Sequence, residues 1–139
     1  QFGFEDQGWL AWFAIRFFLG KPITLYGDGK QVRDVLWVDD LIKAFEAFIR
    51  YEFRYQGEVF NIGGGHQNTI SLLELIETLE KISGRRISIN HDSWRKFDQK
   101  VYVSDITKCK KLLGWSPSVN PVEGVGKLYD WVCRNQKLF

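Results

Sequence analysis

Apolar side chains at positions 9, 10, 12, 13, 15, 17 and 18 cover almost the whole circumference of a helix, so residues 9 to 18 are expected to form one buried on most sides. Gly20 supplies its stop and Pro22 keeps it from restarting. Thr24, Leu25 and Tyr26, then the run from Val32 to Val38, are rich in β-branched and aromatic residues. Between them Gly27-Asp28-Gly29 tolerates positive φ, so the whole stretch reads as a hairpin with Arg33 just past its turn. Asp39 or Asp40 is then placed to cap a helix running to about residue 51, with Leu41, Ile42, Phe45, Phe48 and Ile49 facing inward.

Past Gly57, residues 58 to 62 (Glu-Val-Phe-Asn-Ile) form an expected short strand closed by Gly63-Gly64-Gly65. Ser71-x-x-Glu74 is a capping box ahead of an amphipathic stretch from Leu72 to Ile82, which Gly84 ends. Ile87-Ser88-Ile89 and Val101-Tyr102-Val103 look extended, and a helix capped by Ser104 or Asp105 runs to Leu113-Gly114-Trp115. Pro121 opens a last helix through Leu128 and Trp131. Helices alternating with short strands, without repeats or linkers, predict an α/β or α+β domain with too few strands for a complete doubly wound sheet.

Composition narrows the function classes. With 139 residues, 45% hydrophobic and 16% aromatic, the chain can bury its own core and is treated as one domain, 1–139. The net charge of +2 is dispersed, leaving no basic stripe for nucleic acid and no polybasic patch for a membrane. The apolar run from 9 to 19 is too short to span a bilayer and is interrupted by Arg16. Cys109 and Cys133 lie far apart with no histidine companion, against a zinc site and in keeping with reduced thiols in a cytoplasm. His66 and His91 are likewise isolated, so no metal is expected. The absence of methionine, including an initiator, suggests a piece of a longer protein.

Two arginines are the main functional candidates. Arg33 sits in an apolar, sheet-forming run, where it is either a solvated charge paired with Asp34 or an anion ligand. Arg95-x-x-Asp98 places a cation and an acceptor in one loop, suited to a phosphate and a ribose hydroxyl; the alternative is a surface pairing of Arg95 with Asp98 or Asp92. Asn68 and Ser71 lie at a helix start, where backbone donors favour an anion, although capping explains them equally. Asp39 and Asp40 read as helix-start residues rather than as an acid and base pair. Gly63-Gly64-Gly65 lacks the spacing of a dinucleotide cradle, and Tyr26 and Lys30, four apart but separated by glycines in a turn, are no Tyr-x-x-x-Lys pair on a helix.

Gly27-Asp28-Gly29, Arg33-Asp34 and Val38-Asp39-Asp40, followed in order by Asn61-Ile62-Gly63-Gly64, Ser71-Leu72-Leu73-Glu74-Leu75, Arg95-x-x-Asp98, Ser104-Asp105 and Leu113-Gly114-Trp115-x-Pro117, resemble the NAD-dependent epimerase/dehydratase family, the extended short-chain dehydrogenases. The resemblance covers nearly the whole chain and matches the family's C-terminal, substrate-binding part, with an incomplete Rossmann sheet and the N-terminal NAD-binding domain absent. It implies that Arg33 contacts a diphosphate, that Arg95 and Asp98 hold a phosphate and a ribose, that Tyr26 lies against the nucleobase or merely packs, and that Gln7 lies beside the sugar or serves only a loop or capping role. The implied ligand is a nucleotide-diphosphate sugar, and the pattern is most similar to members acting on CDP-sugars. The implied activity of the intact, homo-oligomeric enzyme is hydride removal to NAD and its return to the opposite face of the sugar. Its catalytic residues would lie outside this chain, which alone is expected to be inactive. A non-catalytic nucleotide-diphosphate or partner-docking module, and a piece of a 4,6-dehydratase, are the competing readings.

Overall fold

The computed structural model describes residues 8–51 and 57–139. In chain order the elements are α1 (Trp9–Leu19), β1 (Ile23–Tyr26), β2 (Val32–Asp34), α2 (Val38–Arg50), β3 (Thr69–Ser71), α3 (Leu72–Ser83), β4 (Ile89–Asp92), β5 (Val101–Tyr102), α4 (Thr107–Leu113) and α5 (Pro121–Arg134). Short 3-10 turns lie at His66–Asn68 and Gln136–Leu138. The architecture is mixed α/β with open sheets: β1 pairs with β4, and a second sheet has the order β3-β2-β5. Among the described residues no helix is long and apolar enough to cross a membrane. Cys109 and Cys133 are both free thiols.

The chain divides into two compact units, the first built from the described part of Gln1–Gln31, from Ser71–Lys100 and from Val122–Phe139. In it α1 packs on α3, and Ala14 and Phe17 of the one helix and Leu75 and Leu79 of the other are buried. Gly20 ends α1 in the left-handed conformation its lack of a Cβ allows, and its N–H donates to the carbonyls of Arg16 and Phe17. Ser71 and Glu74 form the capping box of α3 reciprocally. β1 and β4 run parallel with Ile23 opposite Ile89 and Tyr26 opposite Asp92. β4 therefore starts at the residue where an 87–89 strand was expected to finish. Its later members, Asn90, His91 and Asp92, are exposed and polar, so hydrophobic alternation does not reveal them.

The expected hairpin is not formed: β1 and β2 belong to different sheets. The polar groups of the connection are engaged elsewhere. Asp28 Oδ1 accepts from the Lys30 N–H (2.9 Å), the Gly29 carbonyl accepts from the Leu73 N–H (3.1 Å), and the Gly27 N–H extends the β1–β4 ladder by donating to Asp92 O (2.9 Å). A glycine-rich turn fixes where a strand stops, whereas its partner is set by which edge offers a matching row of backbone groups.

The second unit comprises Val32–Ile70 and Val101–Pro121. Its central strand β2 runs parallel to β5, Val32 opposite Val101 and Arg33 opposite Tyr102. Ala44 of α2, Cys109 and Leu113 of α4, and Trp115 are buried together, with Leu36, Phe60, Ile62 and Ile106 packed on them. Burial raises the Cys109 thiol above its ordinary range, with Lys108 opposing weakly.

Three expectations fail in this unit. Ile42, Phe45 and Ile49 do not face inward: the inner face of α2 carries Asp40 and Ala44, while Val38, Ile42, Phe45 and Ile49 are each about half exposed or more, and Phe48 packs edge-on against Phe60 at 5.8 Å. Nor does Asp40 cap the helix, whose N-cap is Trp37. Asp40 is instead fully buried, accepting from the N–H groups of Ser118 (2.8 Å) and Val119 (2.9 Å), from the Ser118 hydroxyl (2.6 Å) and from Lys43 Nζ (3.1 Å). Its own carbonyl accepts from Trp115 Nε1 at 2.9 Å. Burial pushes this carboxyl upward, but the donors from Ser118, Val119 and Lys43 outweigh it and hold it well below the usual carboxylate range. Residues 58 to 62 form no strand, because side chains take their carbonyls: Lys108 Nζ donates to Val59 O (2.7 Å) and Cys109 Sγ to Asn61 O (3.1 Å).

Candidate functional site

In the first unit three of the residues singled out by sequence gather around the end of β1. Tyr26 is its last residue, and the loop after β4 brings Arg95 over the Tyr26 ring, with the guanidinium carbon 3.8 Å from the ring centroid. Asp98 closes a turn by donating its N–H to Arg95 O at 3.1 Å. Phe97, inside that turn and 90% exposed, has φ 70, the single positive φ of a non-glycine residue among those described. Trp94 lies against Gly27, where an added Cβ would stand 2.5 Å from the indole, so this side of the cluster needs glycine.

Sequence reasoning missed the fourth member, Gln31. Only 2% exposed, it donates from Nε2 to Tyr26 O (2.5 Å) and to Asp98 Oδ2 (3.3 Å). The available signal was an uncharged amide between a glycine turn and an apolar strand, where a buried polar group must find partners. Chemically the cluster joins a planar cation, an aromatic face and a carboxylate. The guanidinium over the ring is a cation–π contact, and a planar fork of donors at such a place has the chemistry to bind an oxyanion.

Arg33 belongs to the second unit, where it is half-buried in β2 and donates from a terminal guanidinium nitrogen to Val32 O (2.8 Å). Its neighbour Asp34 accepts the Gly65 N–H at 3.0 Å. Asn68 is buried, donating from Nδ2 to Val119 O (3.1 Å) and accepting the Val35 N–H (2.9 Å) on its backbone carbonyl. Ser71 Oγ accepts the Glu74 N–H (3.2 Å) and donates to Glu74 Oε2 (2.7 Å), which also accepts the Ser71 N–H at 2.7 Å. The Ser71 hydroxyl and then its N–H hold the Glu74 carboxyl below its ordinary range. Both side chains thus have structural work of their own. Gln7 lies outside the described residues.

The glycine run from 63 to 65 does not fit a pyrophosphate cradle. Cβ atoms added there would meet Ser104 Oγ at 2.3 Å, Val35 O at 2.2 Å and Ile106 at 2.9 Å, so protein already fills the space that glycine leaves. These glycines serve close backbone packing. Asp39 accepts from Trp37 Nε1 (2.9 Å), and among the described residues no group of metal-ligating side chains occurs.

The family model described as GDP-mannose 4,6 dehydratase matches residues 10–128. The chain belongs to the nucleotide-sugar epimerase/dehydratase family. It is 40% identical over 136 residues to CDP-paratose 2-epimerase of Salmonella typhi, covering 94% of this chain and 40% of that protein. With UDP-glucuronate 4-epimerase of Thermodesulfobacterium geofontis the identity is 37%, covering 85% of this chain and 35% of the relative. The crystal structure of UDP-glucuronic acid 4-epimerase from Bacillus cereus, in complex with UDP-glucuronic acid and NAD, superposes with TM-score 0.81 at 34% identity, over 91% of this chain and 38% of that one. The chain thus spans about 40% of the length of these epimerase/dehydratase relatives.

Proposed function

We propose that this chain is the nucleotide-sugar-binding part of an NAD-dependent epimerase, of the kind that converts CDP-paratose to CDP-tyvelose. The observation that carries the reading is the convergence of Tyr26, Arg95 and Asp98, with Gln31, from two distant stretches of sequence. Identity to the Salmonella protein supports the CDP-sugar over other nucleotide sugars. In this assignment Arg95 is the diphosphate ligand of the first unit and Arg33 is assigned separately, within the second unit, as a diphosphate contact, each charge-assisted hydrogen bond contributing about 1.5 to 3 kcal/mol before ordering costs. Asp98 accepts from a ribose hydroxyl and Tyr26 offers an aromatic edge to the base. Gln7 hydrogen-bonds to the sugar, while Ser71 braces the first unit through its capping box and Asn68 braces the second through its bond to Val119.

NAD supplies the hydride acceptor and donor of such an enzyme, and we assign its binding to the part of the relatives' length that this chain does not span. The filled glycine run argues against a dinucleotide site within the described residues. The chain by itself is then a binding unit without turnover, in a cytoplasmic homo-oligomeric parent. A 4,6-dehydratase parent is the second reading, favoured by the description of the matching family model. Calorimetry with CDP, UDP, dTDP and NAD on the 139-residue chain tests the proposal. CDP should bind, with a Kd on the order of 0.1 to 1 mM, and NAD should give no heat. Tight NAD binding, or failure of every nucleoside diphosphate, overturns it.

A further inference from the structure

We infer that Gln31 is a positioning residue for the nucleoside end of this site, tying the Tyr26 carbonyl to the Asp98 carboxylate through the two hydrogens of one amide. The inference rests on the reading of Tyr26, Arg95 and Asp98 as a nucleotide site and adds a residue that acts through them. Three observations carry it. Both N–H bonds of the Gln31 amide are directed at residues of the site, Tyr26 O at 2.5 Å and Asp98 Oδ2 at 3.3 Å. Asp98 is 67 positions away in sequence, so this amide bridges the start of the chain to the loop that carries Arg95. Finally, Gln31 Oε1 is buried with no hydrogen-bond partner.

The orphaned oxygen separates a positioning role from simple core filling. Burying an acceptor without a donor is unfavourable, and a methionine of similar length would fill the same space without it. Rotating the amide gives no relief, because it would set two carbonyl oxygens 2.5 Å apart at Tyr26. Gln31 therefore holds one orientation, in which its donors serve Tyr26 and Asp98 while its acceptor goes unused. The consequence for a ligand is geometric. The carboxylate is fixed relative to the Tyr26–Arg95 stack, so a ribose hydroxyl reaching Asp98 is in register with an anion reaching Arg95.

The test compares CDP with its 2′,3′-dideoxy analogue by calorimetry on the 139-residue chain carrying Gln31→Met, Gln31→Glu or Asp98→Asn, and on the Gln31→Met/Asp98→Asn double variant. The wild type should prefer CDP over the analogue by about 10-fold, the discrimination expected of a placed acceptor. Gln31→Met should reduce that preference to about 2-fold or less, and in the Asp98→Asn background should change CDP affinity by less than about 2-fold. Gln31→Glu keeps the length but turns acceptors toward Tyr26 O and Asp98, so it should lose the preference as well, and it decides the matter if the methionine variant does not fold. A preference retained in both Gln31 variants, or losses from Gln31→Met and Asp98→Asn that simply add, overturns the role of Gln31 while leaving the nucleotide site standing. A wild type that binds no nucleoside diphosphate overturns the site, and this inference with it.

Discussion

Replacing Phe97 by glycine should make the protein more stable, although it removes an aromatic side chain. The backbone at Phe97 has φ 70, and Asp98 N–H bonds to Arg95 O across it, so the residue occupies the turn position that calls for positive φ. A side chain with a Cβ held there costs about 1 to 2 kcal/mol. The ring offsets little of this, being 90% exposed, with Lys96 Nζ at 5.3 Å as a weak cation–π contact of about 0.5 kcal/mol. Glycine relieves the strain but enlarges the unfolded ensemble, at about 0.4 to 1 kcal/mol. Phe97→Ala controls for the ring, since alanine loses it but keeps the strained φ. The expected order is Gly above Ala by about 0.5 to 1 kcal/mol, roughly 2 to 4 °C in Tm for a chain of this size, read by circular dichroism melting and urea titration. This reverses the usual ranking of the two residues. Alanine equal to or better than glycine at position 97 would refute the reasoning.

Asp40→Asn should cost about 3 kcal/mol at pH 7 by breaking up the donor set of Ser118, Val119 and Lys43. Because the folded carboxyl lies below the ordinary 3.8, its contribution is complete above that value and fades as pH falls further, so the gap between wild type and variant in urea unfolding should narrow from pH 7 to pH 3. Gly64→Ala should prevent the second unit from folding, its Cβ landing 2.2 Å from the Val35 carbonyl, whereas Gly84→Ala, with φ +66 in open space, should lose only about 1 kcal/mol; melting curves of the two separate steric collision from torsional strain. Ser71→Ala should cost about 1 kcal/mol through loss of the capping box, with Ser71→Thr restoring most of it in the same assay.

What the sequence revealed and what it concealed have separate physical origins. Helix ends were legible because capping is local: Gly20, Gly84 and Gly114 all adopt the left-handed conformation, and Ser71 with Glu74 forms the reciprocal cap. Strand pairing was not, since β1 meets β4 across more than sixty residues and neither the turn at 27–29 nor alternation encodes that partner. The inner face of α2 was misjudged because a hydrophobic stripe was assumed to mark burial. In this helix the buried face is set by Asp40, whose partners Ser118 and Val119 lie almost eighty positions later. At the candidate site Arg95 and Asp98 stood out through charge at short spacing. Gln31 did not, because an amide is informative only once its burial and its two distant acceptors are known.

The interleaving of the two units has a consequence for biosynthesis. Every segment of the unit containing Arg33 has been translated by Pro121, while the unit containing Tyr26 and Arg95 still awaits Val125, Tyr129 and Val132 of its terminal helix. A chain cut after Pro121 would carry every segment of the former and leave the latter without those three buried side chains, so removal of α5 should expose the core of the latter alone.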